Sequence, residues 1–167
     1  MTPMVRKPAQ ARGLTLVEAL LAAMILAFSA VAVSQALLAG HQQTQAALHH
    51  RRATDLADAL MEEILRLPYN DPDGASSPGP EAGETSRLLY DNIDDYHGFS
   101  ETAGSVTDVA GVAYDARYEL FSRSVTVTAG SQTVAGLGPA ITGVTTQVTV
   151  TDTAGATWSV QRFVAQP

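Results

Sequence analysis

Cysteine is absent from this chain of 167 residues, so it can hold no disulfide framework, no thiolate metal site and no thiol nucleophile. Histidine is scarce. Of the four present, His49 and His50 are adjacent, hence about 100° apart on a helix, and His41 lies two turns away. With His97 far along the chain they form no metal set and read as solvated side chains. Also missing are G-x-S-x-G, H-E-x-x-H and a glycine-rich phosphate loop after a strand, so no catalytic role is expected. Positive charge is in short supply as well: 10 Lys and Arg stand against 17 Asp and Glu, a net charge of −7. Three of the 10 basic residues, Arg6, Lys7 and Arg12, precede every acidic one, which leaves seven against 17 in the rest, a balance of −10. Phosphate contacts need a clustered basic surface, so no nucleic-acid partner is expected.

What the chain does have is one long apolar run. It begins after Gly13 and continues to Leu38, about 25 residues or about 37 Å as a helix, enough to span the hydrocarbon of a lipid bilayer with some tilt. A cleavable secretory signal would place a short apolar stretch before a small-residue cleavage site; here the basic, proline-containing segment 1–13 has no such stretch. The positive-inside rule predicts a cytoplasmic N-terminus and an exported C-terminal part. The rest of the chain suffices for one small domain beside the anchor. Within the run stands Glu18, and a carboxylate at the centre of a membrane helix costs about 2.5–3.5 kcal/mol even on lenient scales. Either it snorkels at the interface or it has a function.

The segment "GLTLVEALLA" resembles the cleavage and methylation motif of type IV pilins and type II secretion pseudopilins. The resemblance implies that prepilin peptidase cuts between Gly13 and Leu14 and methylates the new N-terminus at Leu14, in place of the more usual phenylalanine or methionine. It also implies that Glu18 pairs with the N-terminal amine of a neighbouring subunit in a filament core. Physically such a pair is tolerable only when made, because each charge left alone in a low dielectric carries a desolvation penalty. "LMEEILRLPYNDPD" and "YDNIDDYHGFSE" are similar to segments of minor pilins of the PilV or mannose-sensitive-haemagglutinin type.

Beyond the membrane the helix is predicted to continue to Leu67 and to end at Pro68, with Ala46, Ala53, Ala57, Leu60, Ile64 and Leu67 drawing a narrow apolar stripe. Arg51 with Asp55 and Glu62 with Arg66 stand four apart and can support it. Gly40, following Ser34 and Gln35, marks a weak point between its halves. Residues 68–104 are dense in Pro, Gly, Asp and Ser and read as loop. Within it Asp91, Asp94 and Asp95, with Asn92 nearby and Glu101 beyond, make an oxygen-rich group of the kind that suits calcium, although the spacing is not that of an EF-hand; a merely solvated acidic loop is the alternative. Residues 105–167 read as antiparallel sheet. Val144, Val148 and Val150 alternate with polar residues, "DTAGA" supplies a turn, and Trp158, Val160 and Val164 alternate again. Tyr114, Tyr118 and Leu120 suggest an earlier strand that shifts register towards Val125 and Val127.

The fold expected is therefore α+β and pilin-like: leader 1–13, membrane or filament-core helix 14–38, its continuation 39–67, variable loop 68–104, and a sheet of three to five strands over 105–167. The function implied is that of a minor pilin or pseudopilin, a single-pass protein of the inner membrane with a periplasmic C-terminal domain that enters a filament after assembly. Its expected partners are other pilins, prepilin peptidase, the inner-membrane assembly platform and the bilayer. Two alternatives stay open: a binding module at a filament tip, and a single-pass membrane protein that never assembles.

Overall fold

A computed structural model describes residues 15–72, 74, 78–133, 136 and 138–167. Gly13 and Leu14, with Arg6, Lys7 and Arg12, lie outside the described residues. The described chain has one long α-helix, α1 (Leu16–Ile64), followed by strands β1 (Ser100–Glu101), β2 (Phe121–Gln132), β3 (Ile141–Asp152) and β4 (Thr157–Ala165). The four strands form one antiparallel sheet in the order β1-β2-β3-β4. The arrangement is α+β, a long N-terminal helix with its C-terminal part packed on an antiparallel sheet.

The chain divides into two units, Met1–Ala46 and Ala47–Pro167. In the described part of the first unit there is only helix. Thr15 caps it: the Glu18 N–H donates to Thr15 Oγ1 at 3.3 Å, and the Ala19 N–H to the Thr15 carbonyl at 3.0 Å. The helix runs unbroken through Gly40, the expected weak point; helical hydrogen bonding is joined there by Thr44 Oγ1, which donates to the Gly40 carbonyl at 2.9 Å.

The second unit holds the core. Ala53, Leu56, Ala57, Leu60, Met61 and Ile64 of α1 are buried, together with Phe121, Val125 and Val127 of β2, Val148 and Val150 of β3, and Ile93, Tyr96 and Val106 from the connecting segment. Spacings of three, one and three build a stripe two rows wide, broader than the single row read from the sequence, because Leu56 and Met61 belong to it while Ala46 is exposed. The last turn tightens, with the Leu67 N–H donating to the Ile64 carbonyl, and Pro68 stops the helix because it has no N–H and keeps Leu67 out of the helical region. Arg51 and Asp55 stand 3.9 Å apart on the exposed face; Glu62 and Arg66 make no ion pair, since Arg66 lies beyond the last helical residue.

The register puts Val125, Val148 and Val160 side by side on the helix-facing side, with Arg123, Val150 and Trp158 in the next row. On the other face Ser124, Thr149 and Ser159 lie in one row, and Thr126, Gln147 and Gln161 in another, none of them charged. The β3–β4 turn closes through Asp152, whose Oδ1 accepts from the N–H groups of Ala154 and Ala156 at 2.9 Å each, with Gly155 at φ +89°. Gly143 is required by a close approach: a Cβ there would lie 2.2 Å from the Val164 carbonyl oxygen and 2.6 Å from the Phe163 ring. The expected strand through Tyr114, Tyr118 and Leu120 is not formed. Asp115 accepts the Arg117 N–H and starts a short 3-10 turn, Ala116–Tyr118, and Leu120 is exposed. The sheet instead gains β1 from the segment read as loop.

Candidate functional site

Two places in the chain could carry function. The first is the N-terminal stretch of α1. Leu16, Leu20, Leu21, Met24, Ile25, Leu26, Phe28, Val31, Val33, Leu37 and Leu38 are all exposed, with Leu16 at 78% and Phe28 at 71%. A helix apolar on every side is suited to hydrocarbon or to packing among other apolar helices. It is the one helix among the described residues that is long and apolar enough to cross a membrane, which fits a single-pass protein. Glu18 stands in its first turn. Thr15-x-x-Glu18 has the spacing of a capping box, a local role that the sequence reading missed and that the T-x-x-E pattern could have signalled. The amino end of a helix also favours a carboxylate through its dipole.

The second is the segment 68–120, which covers one edge of the core. It is anchored by two arginines that sequence reasoning did not single out. Arg123 takes an inward position on β2 where alternation would place an apolar residue; its side chain is buried, and its Nε lies 2.5 Å from Glu101 Oε2. Its other nitrogens donate to the carbonyls of Leu56 on α1 and of Thr107. Arg87 donates to the carbonyls of Thr107 and Asp108, stands 3.6 Å from Glu63 on α1, and lies over the Phe99 ring. Glu101 also accepts from the N–H and hydroxyl of Thr107, at 3.0 and 2.8 Å. The Tyr96 hydroxyl donates to Glu63 at 2.6 Å, and burial followed by that hydrogen bond pushes its pKa upward. Four charges thus face each other and backbone carbonyls, a cross-brace between helix, strand and loop in which Arg87 Nη1 has no hydrogen-bond partner among the described residues.

The histidines are not all solvated as the sequence suggested. His49 Nε2 is 2.9 Å from Asp152 Oδ2, and its ring rests 4.6 Å from that of Phe121, tying α1 to the β3–β4 turn. That hydrogen bond holds the Asp152 carboxyl below its ordinary value. His97 Nδ1 accepts the Val127 N–H at 3.2 Å beside β1.

The acidic loop is organised differently from the expected ligand set of Asp91, Asp94 and Asp95. Asp95 is fully buried, and its Oδ2 accepts the N–H groups of Asp91 and Asn92 at 2.9 and 3.0 Å. In return Asn92 Oδ1 accepts the N–H groups of Asp94 and Asp95 at 2.7 and 3.1 Å. The motif is a reciprocal turn built by side chains replacing backbone partners. Asp94 lines a cavity with Tyr69, Ile93 and Val127, and burial raises its pKa. The carboxylates that do converge are Glu81, Glu84 and Asp95, each offering an oxygen within 4.8 Å of the others. Of the expected trio only Asp95 belongs to this group; the two glutamates lie 11 or more positions upstream and carry no spacing signal. Comparison of the chain with protein-family models, with curated proteins and with solved structures finds no match.

Proposed function

We propose that the chain is a minor pilin or pseudopilin, a structural subunit that is held in the inner membrane by α1, processed by prepilin peptidase between Gly13 and Leu14, and then packed through α1 into a type IV pilus or type II secretion pseudopilus. The observation that carries this reading is a single helix that is apolar on all sides over its first part and amphipathic over its last, with a carboxylate fixed in its first turn. The first part needs an apolar environment; the last supports an exported domain. The basic residues Arg6, Lys7 and Arg12 favour a cytoplasmic start. In a filament, Glu18 would pair with a neighbour's amine.

A second reading is a single-pass protein that does not assemble: the Thr15 cap uses only the Glu18 backbone N–H, and a carboxylate at the amino end of a helix is favoured by the dipole without any neighbour. One set of variants separates the two. Mass spectrometry of the native protein should find a methylated Leu14 as first residue, and Gly13→Leu should retain the leader; an unchanged N-terminus in Gly13→Leu would sink the family assignment. Glu18→Ala and Glu18→Gln should both be cut and stay in the membrane, yet fail to crosslink with other pilins or appear in sheared filaments, because removing one partner of a buried pair costs about 3–5 kcal/mol. If Glu18 serves only its own helix, through the dipole, its loss costs about 0.3–1 kcal/mol and would leave incorporation intact.

A further inference from the structure

We propose that Glu81, Glu84 and Asp95 bind a hard divalent cation, and that the cation is calcium. Asp95 carries the first half of the case. It is 0% exposed, its Oδ2 is committed to two backbone N–H groups, and its Oδ1 has no hydrogen-bond partner among the described residues. A carboxylate oxygen sealed from water without a donor is costly, and an ion is the kind of partner that removes the cost. The Glu81 and Glu84 carboxylates converge on that of Asp95 and add repulsion instead of relief.

Those two carboxylates carry the second half. Glu81 and Glu84 are both half-buried and are fixed by a tight turn: the Glu84 N–H donates to the Glu81 carbonyl at 3.1 Å, and the Glu81 N–H donates to Glu84 Oε2 at 2.9 Å. Asp95 approaches from a separate turn, Asp94–Tyr96. Three carboxylates from two turns, with a formal charge of −3 when ionised, repel one another unless a cation stands between them.

Ligand chemistry selects the ion. Oxygen-only donors exclude soft metals, and no histidine or cysteine joins the group. Calcium, with bonds of about 2.3–2.6 Å, suits oxygens that lie within 4.8 Å of one another and tolerates irregular spheres, whereas magnesium demands near-octahedral geometry and keeps most of its waters. Three protein carboxylates completed by water predict a dissociation constant of about 0.1–1 mM, the range of extracellular modules.

The test uses the full chain in detergent micelles at pH 8, stripped with chelator and titrated with calcium chloride, followed by calorimetry and by thermal unfolding through Trp158 fluorescence. Calcium at about 10 mM should raise the unfolding temperature by about 3–6 °C. The double variant Glu81→Gln with Glu84→Gln should lose that rise and at least tenfold in affinity, while unfolding without calcium no lower than the wild type, which shows that it is folded. Asp94→Asn should keep the full response. No calcium-dependent rise in the wild type, an equal rise in the double variant, or a rise with magnesium but not calcium would each overturn the proposal.

Discussion

Leu26 and Leu60 belong to the same helix in opposite circumstances, the first 70% exposed and the second fully buried. Around Leu26 every face is apolar; around Leu60 the apolar residues shrink to a stripe two rows wide, flanked by Arg51, Asp55, Asp58 and Glu62. One continuous run of helical hydrogen bonds therefore serves two environments, and the change falls in the side chains, between Leu38 and Ala53. Helix propensity is indifferent to that change, because Leu, Ala and Gln all favour helix in either setting. What differs is the source of stability: the N-terminal part needs a partner outside the described chain, while the C-terminal part finds one in its own sheet.

The strongest way to break this comparison is to attack the cross-brace that completes the second unit. Arg123→Leu removes the close cation of buried Glu101 and leaves it only Arg87, 3.9 Å away, and a loss of about 3–5 kcal/mol is expected in denaturant unfolding of the full chain in micelles. Adding Glu101→Gln should recover part of that loss. A somewhat smaller effect sharpens the contrast directly. Leu60→Ala should cost about 2–5 kcal/mol, because it opens a cavity against the sheet, whereas Leu26→Ala should leave unfolding of the sheet unit unchanged and weaken only retention in the membrane. If both substitutions lower the unfolding midpoint equally, the two regions are not independent.

The smallest effect lies within the second unit and separates its two ends by pH. Asp152 has a folded pKa below its unfolded one, so the stability it contributes is present above about pH 4 and is lost as the pH falls through the folded value. Glu81 has the opposite sign: raised to about 7, it favours the folded state below its unfolded value near about 4.3, and that advantage is lost as the pH rises to about 7. Thermal unfolding from pH 3 to pH 8 in chelator should show both slopes. His49→Ala should flatten only the acid one.

Much of the architecture is legible in the sequence, because periodicity reports burial. Period two at Val148 and Val150, then at Trp158 and Val160, predicts the β3–β4 hairpin, and "DTAGA" predicts its turn. Ala53, Ala57, Leu60 and Ile64 give the helix face, but a heptad template is too narrow for a straight helix packed on a sheet, which is why Leu56 and Met61 escape it. The segment 68–120 is opaque for a physical reason. Turns and short 3-10 pieces have no period, so nothing marks Arg87 as a brace or pairs Glu81 with Asp95. Tyr114 and Tyr118 mimic a strand pattern, yet Asp115 takes the Arg117 N–H and turns the chain first. A buried Arg123 inside an otherwise apolar alternation was the one visible irregularity.

The cross-brace also determines how this unit breathes. Among the described residues between Pro68 and Leu120 the only strand is two residues long, so much of the segment's hold on the rest of the unit comes from Arg87, Arg123, Glu63 and Glu101, and from Ile93, Tyr96 and Val106 in the core. Fixings that share partners come undone together. The segment should therefore lift as one cooperative foldon, at a free energy below that of global unfolding, while the β2–β3–β4 meander keeps its amide protons against solvent exchange.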